Sequence, residues 1–424
     1  MQPTSADPAV ASGETPLDLR AVLATALHAG QIMLENGAST ARVEETVRRI
    51  GLALGAEHVE VFATPTGLFA THLAGGEHRT RIQRIARSEM DLSKIEAVLA
   101  ISRAAEQHRI NLAEVQQALE QASRAPRPFS LWVTPIASGI GCAASAVLLG
   151  GGLAEALATV VGAALGYLLA ILLGRIGLSR IMSTAIAAAA ATGSALAVAL
   201  LLAAPFPALA MSAAILMLTP GVLIVSAVSD LFRGDTLSGV ARAAMALLAV
   251  AGIAAGSWFV IALSGASLAI GSLAPPDWLN SVGLAAITTI AFAMLFGVQP
   301  RRVVPAALAG MAGYAATRFT EQLGAPPGVA IFMGGLAVGL LAELLARLLR
   351  TPATTFSIPG IITLVPGGIA FRTMLAYAQS DIAAGTTDLV RTVLLAGALA
   401  AGLGTITGLV AIRLRRGNDP ATQD

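Results

Sequence analysis

The second half of the chain repeats the first at a spacing of about 147 residues, and this repeat constrains the fold more than any other sequence feature. Three landmarks recur in order: Leu149-Gly150 as Phe296-Gly297, Gly166-Tyr167 as Gly313-Tyr314, and Thr219-Pro220-Gly221 as Val365-Pro366-Gly367. Each copy holds about five apolar segments that are long enough to cross a bilayer. Because an odd number of crossings turns the second copy over, we expect inverted repeats, an arrangement typical of secondary transporters.

Composition divides the chain into a soluble module and a membrane module. Hydrophobic residues make up 55% of the chain and its mean hydropathy is +0.75, well above that of soluble proteins. Residues 1–128 nevertheless carry all five histidines and more than half of the charged side chains, whereas the remainder contains no lysine. We therefore expect a disordered tail at 1–16, a cytoplasmic domain at 17–128, membrane repeats at 129–275 and 276–415, and a C-terminal tail at 416–424.

The soluble module has the residue patterns of a small α+β domain. Helical spacing of apolar residues and short runs between turn signals predict seven elements: helices at 17–35 and 42–54, strands at 58–63, 67–73 and 79–85, and helices at 91–108 and 112–123. The order ααβββαα is typical of an α+β fold.

The membrane module contains ten apolar segments of span length or close to it. We place them near 131–150, 154–173, 181–203, 209–228, 240–262, 278–297, 303–319, 328–346, 355–378 and 389–412, the seventh being short. With the soluble module in the cytoplasm, twelve arginines fall on the inner side and two, Arg318 and Arg391, on the outer side. This positive-inside bias predicts an α-helical polytopic membrane protein with ten transmembrane helices and both termini in the cytoplasm.

Proline and glycine interrupt two spans at corresponding places in the repeats. Proline removes an amide donor, and broken backbone survives in a membrane only inside protein or beside a wet cavity. A half-helix N-terminus in such a place can bind a carboxylate. We therefore predict a substrate site at the breaks, with the alternative that each Pro-Gly pair merely kinks a packing helix. The predicted site residues are Thr219, Pro220 and Gly221 in span 4, and Pro359, Gly360, Pro366, Gly367 and Gly368 in span 9.

Three charged residues in or beside the spans are further candidates. Arg372 follows the second break inside an apolar helix, where its guanidinium can bind a substrate carboxylate or snorkel to the headgroups. Asp230, just past span 4, can bind a substrate ammonium group, carry a coupling proton or be an ordinary solvated carboxylate. Glu343, near the inner end of span 8, is a coupling or gating candidate, although a pair with Arg347 at i+4 is the simpler explanation.

Several function classes lack their sequence signatures. The single cysteine, Cys142, excludes a disulfide within the chain and a cysteine-based metal site, and the histidines have no metal-ligand spacing. The sequence has no P-loop, nucleophile elbow or dinucleotide-binding motif, so we predict no cofactor, no metal and no enzyme activity. The net charge of +2 gives no reason to expect a nucleic-acid partner.

A set of short motifs occurs in a fixed order along the chain. They are Gly37-Ala38-Ser39, Arg42-Val43-Glu44-Glu45-Thr46, Val59-Glu60-Val61-Phe62, Thr64-Pro65-Thr66-Gly67, Asp91-Leu92-Ser93, Thr219-Pro220-Gly221, Ser229-Asp230-Leu231 and Val365-Pro366-Gly367-Gly368. Together they resemble the threonine/serine exporter family over about residues 17–415. The resemblance implies a bacterial cytoplasmic-membrane exporter of threonine and serine that is driven by the proton motive force. In some members of that family the two membrane modules are separate proteins, and here they look fused.

Other functions remain open from the sequence alone. The expected partners are threonine, serine, protons and the lipid bilayer, and assembly into a homo-oligomer is left open. An exporter of another small carboxylate, such as a dicarboxylate, fits the same residues because both cargoes carry a carboxylate. The remaining alternatives are a membrane-anchored enzyme with its site in 17–123 and a structural or regulatory membrane protein.

Overall fold

A computed structural model describes residues 19–74, 77–86, 89–264, 271, 273, 276–365, 367–379 and 381–417 of the protein. The expected tail at 1–16, most of the tail at 416–424 and Pro366 lie outside these described residues. The chain forms two compact units. The first comprises residues up to Glu89 together with Ala97–Ala125, and the second comprises Met90–Glu96 and the chain from Pro126 onward.

The first unit confirms the predicted order of elements. Its helices and strands are α1 (Leu19–Glu35), α2 (Thr40–Ala53), β1 (His58–Thr64), β2 (Gly67–Ala74), β3 (Glu77–Arg84), most of α3 (Leu92–Glu106) and α4 (Leu112–Arg124). The strands form an antiparallel sheet in the order β1-β2-β3. Helix α1 packs against α2, α4 and the sheet, and buried Val22, Val47 and Leu68 belong to the apolar core between them. Asn111 and Glu114 form a capping box at the start of α4.

The second unit is helical apart from its connections. Its helices are α5 (Val133–Leu148), α6 (Leu153–Arg175), α7 (Arg180–Leu201), α8 (Pro207–Ala214), α9 (Gly221–Phe232), α10 (Thr236–Ser264), α11 (Trp278–Leu295), α12 (Pro300–Gln322), α13 (Pro327–Leu349), α14 (Thr354–Gly360), α15 (Gly367–Ala378) and α16 (Ile382–Gly417). Within the described residues, six of these are long and apolar enough to cross a membrane, namely α6, α7, α10, α11, α13 and α16. The protein is therefore a polytopic membrane protein. The segment expected as a short seventh span is instead the 23-residue helix α12.

The internal repeat reappears in the helix boundaries. Helices α6, α7 and α8 begin 147 residues before α12, α13 and α14, and helices α9 and α10 begin 146 residues before α15 and α16. The same neighbours also pack together in each half, for example α6 with α7 and α12 with α13. A Cβ added at Gly166 would lie 2.6 Å from the Cβ of Ala191, and one added at Gly313 would lie 2.3 Å from Cγ2 of Val338. The Gly-Tyr landmark is thus a close helix approach that recurs at equivalent positions.

Helices α5 and α11, the first of each half, contact each other in opposite directions. The Ser145 hydroxyl lies 3.3 Å from that of Thr288, whereas a Cβ at Gly141 would meet Ala291 at 2.5 Å. Residue numbers therefore fall along one helix as they rise along the other, so the two helices run antiparallel. Thr288 donates a 3.3 Å hydrogen bond to the Gly141 carbonyl across 147 residues, which brings equivalent positions of the two halves into contact.

Candidate functional site

The fourth and ninth predicted spans are both broken, and the two breaks share one hydrogen-bond pattern. In the first break, the amides of Leu218 and Thr219 donate to the Ile215 carbonyl at 2.9 and 3.1 Å. In the second, the amides of Leu364 and Val365 donate to the Ile361 carbonyl at 2.9 and 3.1 Å. Every donor and acceptor has moved by 146 residues. The breaks are therefore one structural device present twice.

The local sequence explains why the first span breaks at this point. Pro220 has no amide hydrogen, and its φ of −78° and ψ of 45° are close to an inverse γ-turn. The Gly221 amide closes this turn by donating to the Thr219 carbonyl at 2.8 Å, and α9 begins at Gly221. The second break starts where α14 ends at Gly360, passes through a 3-10 helix at Ile362–Leu364, and ends where α15 begins.

The two breaks meet. A Cβ added at Gly221 would lie 2.6 Å from Cγ1 of Val365. Val365 is the repeat equivalent of Thr219, so the halves touch where their backbones leave helical geometry. Glycine allows this approach because a larger residue at 221 would displace Val365.

A cavity of about 110 Å³ lies at this meeting point. Its lining residues are Met90, Ser145, Leu216, Met217, Thr219, Pro220, Gly221, Val222, Leu223, Phe292, Phe296, Ile362 and Val365. The lining includes the first turn of α9, where the backbone amides of a helix have no partner within that helix. Hydroxyls at Ser145 and Thr219 donate to backbone carbonyls and can still accept a hydrogen bond from a ligand. None of the described lining residues is charged.

The other predicted residues of span 9 are not among the described lining residues. Pro359 and Gly360 are buried in α14, where a Cβ at Gly360 would approach Val338 at 3.0 Å. Gly367 and Gly368 open α15, and a Cβ at Gly368 would sit 3.6 Å from Leu149. The structure thus brings Thr219, Pro220 and Gly221 to the cavity and places these four residues in the surrounding packing.

The charged candidates form ion pairs between neighbouring helices. Asp230 is a buried residue of α9, not a loop residue, and its Oδ2 lies 3.2 Å from Nε of the buried Arg242 on α10. Arg372 on α15 is half exposed, and its Nε lies 3.5 Å from Oδ2 of Asp388 on α16. Arg242 and Asp388 are 146 residues apart, so each half carries one ion pair between equivalent helices with the charges exchanged.

Glu343 lies half-buried on α13. The ion pairs found among the described residues do not include one between Glu343 and Arg347. The structure therefore leaves Glu343 apart from the cavity and from the two ion pairs above.

Sequence reasoning missed Arg242, Asp388, Met90 and Ser145. Arg242 and Asp388 can be found by asking which charged residues coincide after a shift of 146. Met90 and Ser145 carry no comparable signal because a methionine and a serine are ordinary in their sequence surroundings. No group of three or more metal-ligating side chains occurs in the described part of the chain.

Comparison with known proteins gives matches along both halves. The profile of a family described as threonine/serine exporter matches residues 24–264, and a second profile, "Threonine/Serine exporter, ThrE", matches residues 281–408. A protein of Mycobacterium tuberculosis named "Probable threonine/serine exporter" is 27% identical over 93% of this chain and 77% of its own length. The "Threonine/serine exporter" of Corynebacterium glutamicum is 26% identical over 93% of this chain and 83% of its own length.

A shorter protein matches the first part of the chain. The Escherichia coli protein named "Probable succinate transporter subunit YjjP" is 29% identical over 54% of this chain and 89% of its own length. No solved structure matches the chain.

Proposed function

The chain belongs to the threonine/serine exporter family, a family of membrane exporters and not of enzymes, and from that premise we propose that it exports threonine and serine across the bacterial cytoplasmic membrane. The observation that carries this proposal is the uncharged cavity where the two helix breaks meet. A secondary transporter binds its substrate where broken helices of two repeats face each other near the middle of the membrane.

The cavity suits a zwitterion. The amides at the start of α9, including those of Val222 and Leu223, lie at the positive end of the helix dipole and can bind the substrate carboxylate. Unwound carbonyls beside the break can accept from the ammonium group, and the hydroxyls of Ser145 and Thr219 can bond to the substrate hydroxyl. Because a zwitterion has no net charge, it needs no charged side chain in the cavity.

A dicarboxylate such as succinate is the second candidate, favoured by the match to the succinate transporter subunit. Its two negative charges would enter a cavity whose described lining has no cation, and an uncompensated buried charge is costly. Arg372, the arginine expected to bind a carboxylate, is paired with Asp388. The cavity therefore favours the amino acid over the dicarboxylate.

Alternating access in this proposal rests on ten spans in two inverted repeats, with both termini in the cytoplasm. The antiparallel contact between α5 and α11 supports inversion, because these helices are equivalent and would run parallel in repeats of equal orientation. The arginine bias of the loops supports the same orientation.

The two ion pairs act as gates in this mechanism. In the inverted arrangement, Asp230–Arg242 lies at the inner face and Arg372–Asp388 at the outer face. The inner pair is buried and the outer pair is half exposed, so the described conformation is the one with the firmer inner closure. Transport would break each pair in turn, and proton motive force would act through protonation of Asp230.

A hydroxyl-to-methyl exchange at the cavity tests the site. Thr219→Val keeps the shape of the side chain and copies the second break, where Val365 stands. Loss of one hydrogen bond costs about 1 kcal/mol, so the KM for threonine should rise roughly fivefold in proteoliposomes. Thr405→Val is the matched control, because Thr405 makes the same i−4 bond on the exposed side of α16. An unchanged KM in Thr219→Val would remove the cavity from the substrate path.

A further inference from the structure

One short segment outside the predicted spans is part of the membrane unit. Met90–Glu96 lies within the sequence expected to be soluble, yet it groups with the chain from Pro126 onward. Met90 lines the cavity, and Leu92 is buried. The segment therefore contributes a wall to the space in which the proposed function places the substrate.

Hydrogen bonds fix this segment to the end of α11. The Leu92 amide donates to the Phe296 carbonyl at 2.8 Å, and the Ser93 amide donates to the Gly297 carbonyl at 3.1 Å. These carbonyls belong to a helix C-terminus, whose acceptors have no partner within the helix. The Asp91 carboxylate, itself buried, accepts from the Ser93 amide at 3.1 Å and from its hydroxyl at 2.6 Å.

An ion pair and a glycine complete the attachment. Glu96 Oε1 lies 4.0 Å from Arg302 Nε, and Arg302 also donates to the Leu349 carbonyl at 2.9 Å. Gly297 has a φ of +67°, and a Cβ there would lie 2.5 Å from Oδ1 of Asp91. Gly297 is thus required both for the turn that ends α11 and for the close approach of Asp91.

We propose that Met90 is a specificity-determining residue of the exporter, held against the substrate by the 90–96 segment. This inference rests on the proposed function, because it assigns a role within the same cavity. Phe292 and Phe296 wall the cavity beside Met90, so the three side chains together limit the length of the substrate side chain. Methionine suits this role because its unbranched thioether adapts to small differences in shape.

Substrate selectivity of the full-length protein tests the proposal. One methylene in an apolar pocket changes discrimination about tenfold or more, so Met90→Ala should raise the ratio of kcat/KM for leucine to that for serine by at least about tenfold. Met182→Ala, at an exposed methionine of α7, is the matched control and should leave the ratio unchanged. An unchanged ratio in Met90→Ala, alongside a raised KM in Thr219→Val, would overturn the role of Met90 and leave the proposed site standing. If neither variant changed transport, both assignments would fall.

Thiol labelling gives a readout that does not depend on transport. The native cysteine, Cys142, is fully buried, so Met90→Cys introduces an accessible thiol at the cavity. Bound threonine should slow its labelling, whereas labelling of His58→Cys on the exposed edge of β1 should not change. Equal labelling of Met90→Cys with and without threonine would contradict the proposal.

A pair of glycine variants tests the attachment itself. Gly297→Ala should displace the segment and shift selectivity in the same direction as Met90→Ala. Gly324→Ala introduces similar backbone strain, with a φ of +81°, but a Cβ there meets nothing within 4 Å. Equal effects of the two variants on selectivity would show that backbone strain, not contact with Asp91, is responsible.

Discussion

Neutralising one member of each ion pair should have very different consequences in the two halves. Asp230→Asn leaves the Arg242 guanidinium buried without its carboxylate, whereas Arg372→Gln leaves Asp388 beside solvent. At 3.2 Å and an effective dielectric constant of about 20, the buried pair attracts by about 5 kcal/mol before desolvation. Removing one partner of a buried pair costs about 3–5 kcal/mol, and an exposed pair contributes about 0–1 kcal/mol.

Thermal unfolding of the purified protein and threonine efflux from proteoliposomes measure the difference. We expect Asp230→Asn to lose several kcal/mol of stability and most of its transport, and Arg372→Gln to remain folded with a smaller defect in transport. Arg318→Gln is a control, because Arg318 pairs only with Glu321 on its own helix. The charge-swapped protein Asp230→Arg/Arg242→Asp should recover stability relative to either single variant.

Two outcomes would refute this reasoning. If Asp230→Asn lost no more stability than Arg372→Gln, burial would not set the strength of the pairs. If the charge-swapped protein were stable but unable to transport, Asp230 would act as a proton carrier and not as one half of an electrostatic gate.

Three further predictions follow from other parts of the fold. Gly221→Ala should crowd Val365 and destabilise the protein by about 1–3 kcal/mol in thermal unfolding, with Val365→Ala restoring stability, while Gly397→Ala, which has open space, should be neutral or stabilising. Burial and the nearby Arg79 lower the pKa of His72, so the unfolded state binds the proton more readily; stability should fall as pH drops below about 6.5 until the lowered pKa is reached, and His72→Leu should abolish this slope. Residues 15–124 expressed alone should give a soluble fragment that unfolds cooperatively, and an aggregating fragment would contradict an independent core.

The helix breaks were predictable from sequence because proline and glycine act locally. Pro220 lacks an amide hydrogen wherever it stands, so span 4 had to end near Thr219. The repeat then predicted a second break near Val365. What sequence could not provide was the contact between the breaks, which depends on how α8, α9 and the 3-10 helix pack.

The charged residues were harder to assign for a physical reason. Sequence gives the position of a charge along a helix but not its neighbour on the next helix. Arg372 therefore looked free to bind a carboxylate, whereas the structure places Asp388 beside it. The same limit hid Met90, whose role depends on a segment of the soluble sequence packing with the membrane unit.

Counterflow and efflux of labelled threonine, serine and succinate from proteoliposomes under an imposed pH gradient test the central claim most directly. The account predicts efflux of threonine and serine that responds to the gradient, no comparable movement of succinate, and a raised KM for threonine in Thr219→Val. Transport of succinate in preference to both amino acids would contradict the proposed function and the argument from the uncharged cavity.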